Sequence, residues 1–240
     1  MLVSEQLFDC YAVRVSSPTN ETCWTVIRAA AIGDSAAQAT FARTYEATIR
    51  SYLETRWRGR PLAHEAVDAV QEVFIECFKP GGVLERADSN HGEMRGLLRR
   101  VTQNVARRFE ERAVQKGRIR PDDSAWLAEV QSDNPGQATM FDRCWAHSVI
   151  SEATARFREL ALQDGEAGQR RVELLERRFG SDEAIREIAS SWGLPAQDVH
   201  NAYKKARKDF YRCLCAEIAF HRPDAVDLEN ECREVLAMIE

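Results

Sequence analysis

The sequence predicts an all-α fold of two small helical domains joined by a linker, the C-terminal one a helix-turn-helix. Backbone breakers are sparse, with 12 Gly and 7 Pro in 240 residues, while the good helix formers Ala, Leu, Glu and Arg are frequent. Apolar residues recur at helical spacings of three and four. Gly, Pro and Asp gather between two such helical blocks, as is typical of a connecting segment.

These breaks predict five parts of the chain. Residues 1–21 form an N-terminal arm, and 22–115 form the first helical domain. Residues 116–141 form the linker, with one short helical turn around Trp126, and 142–221 form the second domain. A C-terminal tail, 222–240, has the pattern of one more short amphipathic helix.

In the first domain, the helix predicted over Ala36–Trp57 has one apolar stripe. The next helix, Ala63–Phe78, is predicted to bury Val67, Val70, Phe74 and Phe78. That segment contains four acids and no Lys or Arg, so its acids gain no support from a cation four residues away. A basic partner for this helix is therefore a hypothesis worth testing. The apolar residues of the first stripe are Phe41, Tyr45, Ile49, Tyr52 and Leu53. The acids of the second helix are Glu65, Asp68, Glu72 and Glu76.

A third helix, Met94–Ala113, reverses the sign of the charge. The segment Met94–Arg120 has nine Lys and Arg against two Glu, a net charge of +7 in a chain whose total is −5. A concentrated arginine face on an acidic protein is typical of contact with nucleic-acid phosphates. The apolar spacing of the same segment assigns Phe109 to the core, and we also assign Trp57 there.

The second domain ends in a helix, a short turn and another helix. The helix predicted over Asp182–Trp192 is followed by Gly193-Leu194-Pro195 and by a long helix, Ala196–Phe220. Gly in the turn of such a pair is typical of a helix-turn-helix, whose second helix reads DNA bases near its N-terminus. The second helix here carries a cationic face, which favours DNA binding.

Several classes of function are not expected from the sequence. No P-loop, GxGxxG or GxSxG motif occurs, so no catalytic site is predicted. The seven cysteines are scattered without a CxxC pair, and Cys144-x-x-His147 has no second pair, so we expect no metal or other cofactor. No apolar run reaches the ~18–20 residues of a membrane span. The start of the chain has no cationic signal-peptide pattern, and we expect a cytoplasmic protein.

Three segments together resemble bacterial RNA polymerase sigma factors of the extracytoplasmic-function type. DAVQEVF at Asp68–Phe74 resembles the D-x-V-Q-E-x-F of their second conserved region, and LLRRVTQNV at Leu97–Val105 resembles the segment that engages the minus-10 promoter element. EIA at Glu187–Ala189, then Gly193, Val199 and KARK at Lys205–Lys208, resemble the fourth region, which reads the minus-35 element. The matches lie in the family's order between Thr22 and Phe220.

The resemblance implies a transcription initiation factor that binds core RNA polymerase, directs it to promoters and assists strand separation. Its partners would be the clamp region of the polymerase β′ subunit, promoter DNA and, in this family, an anti-sigma factor. It implies polymerase contacts at Asp68, Gln71, Glu72 and Ile75. It implies minus-10 contacts at Arg99, Arg100, Asn104, Arg107 and Arg108, and minus-35 contacts at His200, Asn201, Lys204, Lys205 and Lys208.

Three other functions stay open at this point. A stand-alone dimeric helix-turn-helix regulator would bind palindromic DNA without polymerase. An enzyme would use the carboxylates of 65–76 with His64 or His91, although no Glu-x-x-His pattern occurs there. An adaptor would mimic a sigma domain without reading DNA, and the +7 segment is evidence against it.

Overall fold

The computed structural model describes residues 22–87, 94–119, 123–131 and 135–239, and these are all-helical. The predicted arm at 1–21 lies outside them. The helices are α1 (Cys23–Ala31), α2 (Ser35–Arg56), α3 (Ala66–Phe78), α4 (Met94–Gln115), α5 (Ser124–Gln131), α6 (Pro135–Gln163), α7 (Gly165–Gly180), α8 (Ile185–Trp192), α9 (Ala196–His221) and α10 (Leu228–Ala237), and a 3-10 turn, Ala63–Glu65, precedes α3. The all-α prediction is confirmed for these residues.

The described residues form two units, 22–148 and 149–239, and the division falls inside α6. In the first unit, α2 packs against α1 and α3, and α3 packs against α4. Every residue of the stripe predicted for α2 is buried, and so are Trp57 and Phe109, whose rings lie 5.9 Å apart. The periodicity of α2 therefore predicted its core face correctly.

The buried face of α3 differs from the predicted one. Val67, which we expected in the core, is 49% exposed, and Phe74 and Phe78 are only half-buried against Phe41. Since each residue turns a helix by about 100°, the real core face lies one position away from the predicted stripe. It is formed largely by small residues, which let α2 and α4 pack against α3: Ala66, Ala69, Val70, Val73 and Cys77.

A buried ion pair joins α2 to α4. The Nε and Nη2 atoms of Arg56 donate to the two carboxylate oxygens of Glu110 at 2.7 and 3.0 Å. The indole N–H of Trp57 donates to the same carboxylate at 3.0 Å. The third nitrogen of the guanidinium, Nη1, donates to the Tyr52 hydroxyl at 2.9 Å and to the Gln137 amide oxygen at 2.7 Å. Burial alone would lower the pKa of Arg56, but the hydrogen bonds and charge interactions with Glu110 and Tyr52 together outweigh burial and raise that pKa.

The predicted linker, 116–141, contains helical structure. It holds α5 and the start of α6, where Pro135 occupies the first helical position, which needs no intrahelical N–H bond. Gln137 and Phe141 are buried in the first unit, and the Phe141 ring lies 5.4 Å from that of Tyr52. Pro135 and Gly136, which we interpreted as linker residues, are the first two residues of α6.

The second unit consists of the second half of α6 and α7 to α10. Helix α9 packs against α7, α8 and α10. Gly168 of α7 lies so close to α6 that a Cβ added there would be 1.7 Å from the carbonyl oxygen of Ala161. Helix α10 confirms the amphipathic helix predicted for the tail.

No helix in the described part of the chain combines the length and the apolar character that a membrane span requires.

Candidate functional site: an acidic helix face, a basic groove and a cationic helix

The four predicted polymerase contacts share the side of α3 opposite its core face. Asp68, Gln71 and Ile75 are exposed, and Glu72 is half-buried. Ile75 is an exposed large aliphatic side chain, 57% accessible, between polar neighbours. We call Asp68, Gln71, Glu72 and Ile75 the α3 face. It combines an apolar centre with acidic surroundings, as protein-binding surfaces do.

The remaining acid of α3, Glu76, pairs with cations of the first unit. The Oε1 atom of Glu76 accepts from Nη1 of Arg108 at 2.9 Å, and its Oε2 atom lies 2.7 Å from Nζ of Lys79. These hydrogen bonds, from Lys79 first and then from Arg108, lower the pKa of Glu76. Arg108 also lies 3.6 Å from Glu72. Much of the acidity that suggested an external basic partner is thus matched by α4.

A basic groove of about 680 Å³ lies along α4 beside α3. Four arginines and two glutamates lie on its walls, so its charge is positive. Arg100 and Asn104 are exposed, and neither side chain forms a hydrogen bond or an ion pair with the described residues. We call this the α4 groove, and its walls are Glu76, Val83, Arg86, Leu97, Arg100, Val101, Asn104, Arg107, Arg108 and Glu111.

The α4 groove contains four of the five residues predicted to contact the minus-10 element. Arg100, Asn104, Arg107 and Arg108 line it, whereas Arg99 does not. The Nη1 atom of Arg99 lies 3.5 Å from the carboxylate of Asp142 in α6. Arg99 is thus held by an ion pair apart from the groove.

Sequence reasoning missed Arg86 as a member of this site. It lies after α3 in the acidic segment Glu85–Glu93, which contains none of the predicted contacts, and its Nε donates to the carbonyl oxygen of Gly82 at 3.2 Å. Arg86 lines the α4 groove together with three arginines of α4. A cation within an acidic loop is a weak signal, and only the turn after α3 brings it to the groove.

In the second unit, α8 and α9 are joined by the three residues Gly193–Pro195. Gly193 has φ +64°, a left-handed conformation that glycine adopts without strain and that often ends helices. Helix α9 then begins directly after Pro195. Val199, Tyr203 and Ala206 are buried, which directs the opposite side of α9 outward.

The predicted minus-35 contacts lie on that outward side. Asn201, Lys204 and Lys205 are exposed, and His200 and Lys208 are partly exposed. The Asn201 amide oxygen accepts from Gln197 at 3.2 Å, and Lys205 lies 3.8 Å from Asp164. These five residues form what we call the α9 face, a surface on which three lysines stand within two helical turns.

Two arginines that were not among the predicted contacts lie against Tyr203, on the buried side of α9. The guanidinium carbons of Arg178 and Arg207 lie 5.9 and 5.6 Å from the centre of the Tyr203 ring, within the range of cation–π attraction. Arg207 adjoins the lysines in sequence, but the position of Arg178 follows only from the packing of α7 against α9.

Among the described residues, no three His, Cys, Asp or Glu side chains are grouped so that they could hold a metal ion. Cys144 of the C-x-x-H pair is buried, and its sulfur lies 3.5 Å from the Ser51 hydroxyl. The basic sites of both units are instead suited to anions, because arginine forks and lysine ammonium groups bind phosphate oxygens.

The sequence matches no protein-family model and no curated protein sequence.

Proposed function

We propose that this chain is a sigma-type transcription initiation factor of the extracytoplasmic-function kind. The observation that carries the proposal is the adjacency of two surfaces in the first unit: the exposed α3 face and the α4 groove, linked by the ion pairs of Arg108 with Glu72 and Glu76. A factor that delivers polymerase to promoter DNA needs a protein-binding surface and a DNA-binding surface on one rigid body.

The α3 face is the proposed docking surface for the β′ clamp region of core RNA polymerase. Asp68 would steer a basic partner toward the helix, because charges at the rim of an interface raise the rate of association. Ile75 would supply the apolar contact at its centre. Glu72 would contribute less than the sequence suggests, since Arg108 already lies beside it.

The α4 groove is the proposed site for the minus-10 element and its separated strand. Arg100 and Arg107 would contact phosphates, and Asn104 can exchange two hydrogen bonds with a base edge. Arg99 is the weakest of the proposed contacts because it pairs with Asp142. Arg86, which lines the same groove, is added as a phosphate contact.

In the second unit, α8, the three-residue turn and α9 support a helix-turn-helix that would read the minus-35 element. His200 and Asn201 lie near the start of α9, where such helices contact bases. Lys204, Lys205 and Lys208 would contact phosphates and supply salt-dependent affinity. Promoter DNA and polymerase as partners imply a cytoplasmic protein, and an anti-sigma factor would compete for the same surfaces.

The decisive experiment measures binding of the full chain to core RNA polymerase. We would compare the unmodified protein with Asp68→Lys/Ile75→Ser, which changes the α3 face and leaves the ion pairs of Glu72 and Glu76 intact. Glu54→Lys is the matched control, since Glu54 is an exposed acid on α2. We expect stoichiometric binding that weakens at least about tenfold in the double variant only.

Failure of the folded, unmodified protein to bind polymerase would contradict the proposal. If that protein instead bound palindromic DNA as a dimer, the stand-alone regulator would replace it. Equal weakening by Glu54→Lys would show that net charge, and not the α3 face, governs binding.

A further inference from the structure

Two cysteines from different helices of the second unit meet in its core. The sulfur of Cys215 in α9 lies 3.3 Å from that of Cys232 in α10. Both side chains are buried, 2% and 0% exposed. A disulfide has an S–S length of about 2.05 Å, so the sulfurs need to approach by only about 1.3 Å to bond.

The surroundings make the two thiols unequal. The hydrogen bond from the Cys232 thiol lowers the pKa of Cys215, because it stabilises the Cys215 thiolate. The same contact, together with burial, raises the pKa of Cys232. Cys215 is therefore the thiol that more readily becomes the nucleophile, and Cys232 lies in place to resolve an oxidised sulfur.

From this geometry we propose that Cys215 and Cys232 form a reversible intrachain disulfide that fastens α10 to α9 under peroxide stress. The Cys215 thiolate attacks one oxygen of hydrogen peroxide, the O–O bond breaks, and a sulfenic acid and hydroxide form; the hydroxide takes up a proton to become water. The Cys232 sulfur then attacks the sulfenic sulfur, the S–O bond breaks, the thiol proton is lost, and a second water leaves. Peroxide is reduced and the two thiols are oxidised by two electrons in total.

The oxidant must be small and neutral, because both sulfurs are buried. The oxidant would reach the sulfurs when α10 opens briefly. This helix is held through one face, with Cys232, Val235 and Leu236 as its buried residues. Opening it uncovers both sulfurs, including that of Cys215, because they lie 3.3 Å apart between α9 and α10.

The bond would also hold α10 in the wall of an apolar pocket of about 220 Å³ in the second unit. Leu236 of α10 and Ile239 form one side of this pocket, and Phe157 of α6 and Phe210 of α9 are on its other walls. While the thiols are reduced, α10 can move away from the pocket. Once Cys232 is bonded to Cys215, Leu236 stays in the wall of the pocket.

The test treats the folded full-length protein with hydrogen peroxide, then denatures it and alkylates every remaining thiol with N-ethylmaleimide. The reduced chain takes up seven adducts, one for each cysteine, and we expect the oxidised chain to take up five. A protease that cleaves after glutamate cuts at Glu217 and Glu231, and thereby separates the two cysteines. The linked peptides should contain Cys215 and Cys232, and dithiothreitol should separate them.

Cys213→Ala is the matched control, because Cys213 is buried in the same helix two residues earlier. It should still form the bond, whereas Cys215→Ala should not. In the unmodified protein, the bond should slow amide hydrogen exchange in α10 at least about tenfold, a readout that needs no variant.

Peroxide treatment that leaves seven reactive thiols would overturn the proposal. So would a disulfide that uses any other cysteine, or oxidation of Cys215 to sulfinic acid without a bond. Because none of these measurements involves polymerase or DNA, the result is independent of the proposed function.

Discussion

Replacing Glu110 by Gln should strongly destabilise the first unit, because the Glu110 carboxylate forms a bidentate ion pair with the buried guanidinium of Arg56. The side chains of Arg56 and Glu110 are 1% and 0% exposed. Gln keeps the shape of Glu but removes the charge, and its amide N–H₂ would face an N–H donor of Arg56. The guanidinium would remain buried and would lose the carboxylate charge that pairs with it.

The expected cost follows from the burial of this pair. Removing one partner of a buried ion pair costs about 3–5 kcal/mol, mostly because the other charge stays desolvated. Three hydrogen bonds converge on the Glu110 carboxylate, including that of the Trp57 indole, so the upper half of that range is expected. Typical domains have only about 5–15 kcal/mol of stability. The melting temperature should therefore fall by roughly 10 °C or more.

Urea denaturation followed by circular dichroism measures the change in the free energy of unfolding. The control is Glu111→Gln, at an exposed position next to Glu110, which should change it by less than about 0.5 kcal/mol. Replacing both partners, as Arg56→Met with Glu110→Leu, should recover part of the loss, because no uncompensated charge remains. A cost below about 1 kcal/mol for Glu110→Gln would refute the reasoning, since it would mean that water reaches the pair.

Three further predictions concern other features. Gly168→Ala should destabilise the second unit by several kcal/mol in thermal denaturation, because the new Cβ would overlap the backbone of Ala161. The control is Gly180→Ala, which should be neutral or stabilising because the space around Gly180 is open. The pKa of Glu76 is lowered in the folded protein, so its ion pairs stabilise the folded state fully at pH values above its ordinary pKa of 4.5. This stabilisation is lost as the pH falls through the lowered pKa. The stability difference between the unmodified protein and Glu76→Gln should accordingly be present at pH 7 and vanish in strong acid, and a difference unchanged down to pH 2 would contradict this. If the α9 face binds DNA, Lys204→Ala should weaken binding about equally for all DNA sequences. It should also reduce the slope of log affinity against log salt concentration by about 1. An unchanged slope in a binding titration would exclude this phosphate contact.

The helices of this protein could be predicted because their signals are local. The stripe from Phe41 to Leu53 has the period of a helix and proved to be buried throughout. Gly193 and Pro195 marked the turn between α8 and α9 by their backbone preferences alone. The linker was harder to interpret, because Pro135 is equally compatible with a connection and with the first position of a helix.

The surfaces to which we assign the proposed function were predicted only in outline. Their residue types and order along the chain indicated an acidic helix and a basic one, but not how their charges would be matched. Arg108 proved to contact Glu72 and Glu76, and Arg99 proved to contact Asp142. Such pairings join residues tens of positions apart, and no local pattern encodes them.

The sequence by itself determined where the helices lie, which of them are acidic or basic, and which resemblance to test, because helix periodicity and charge are properties of neighbouring residues. Only the tertiary structure decided which face of α3 is buried, which arginines line the α4 groove, and that Cys215 meets Cys232. The reason is that packing sets the rotation of each helix about its axis. That rotation determines which side chains become neighbours in space.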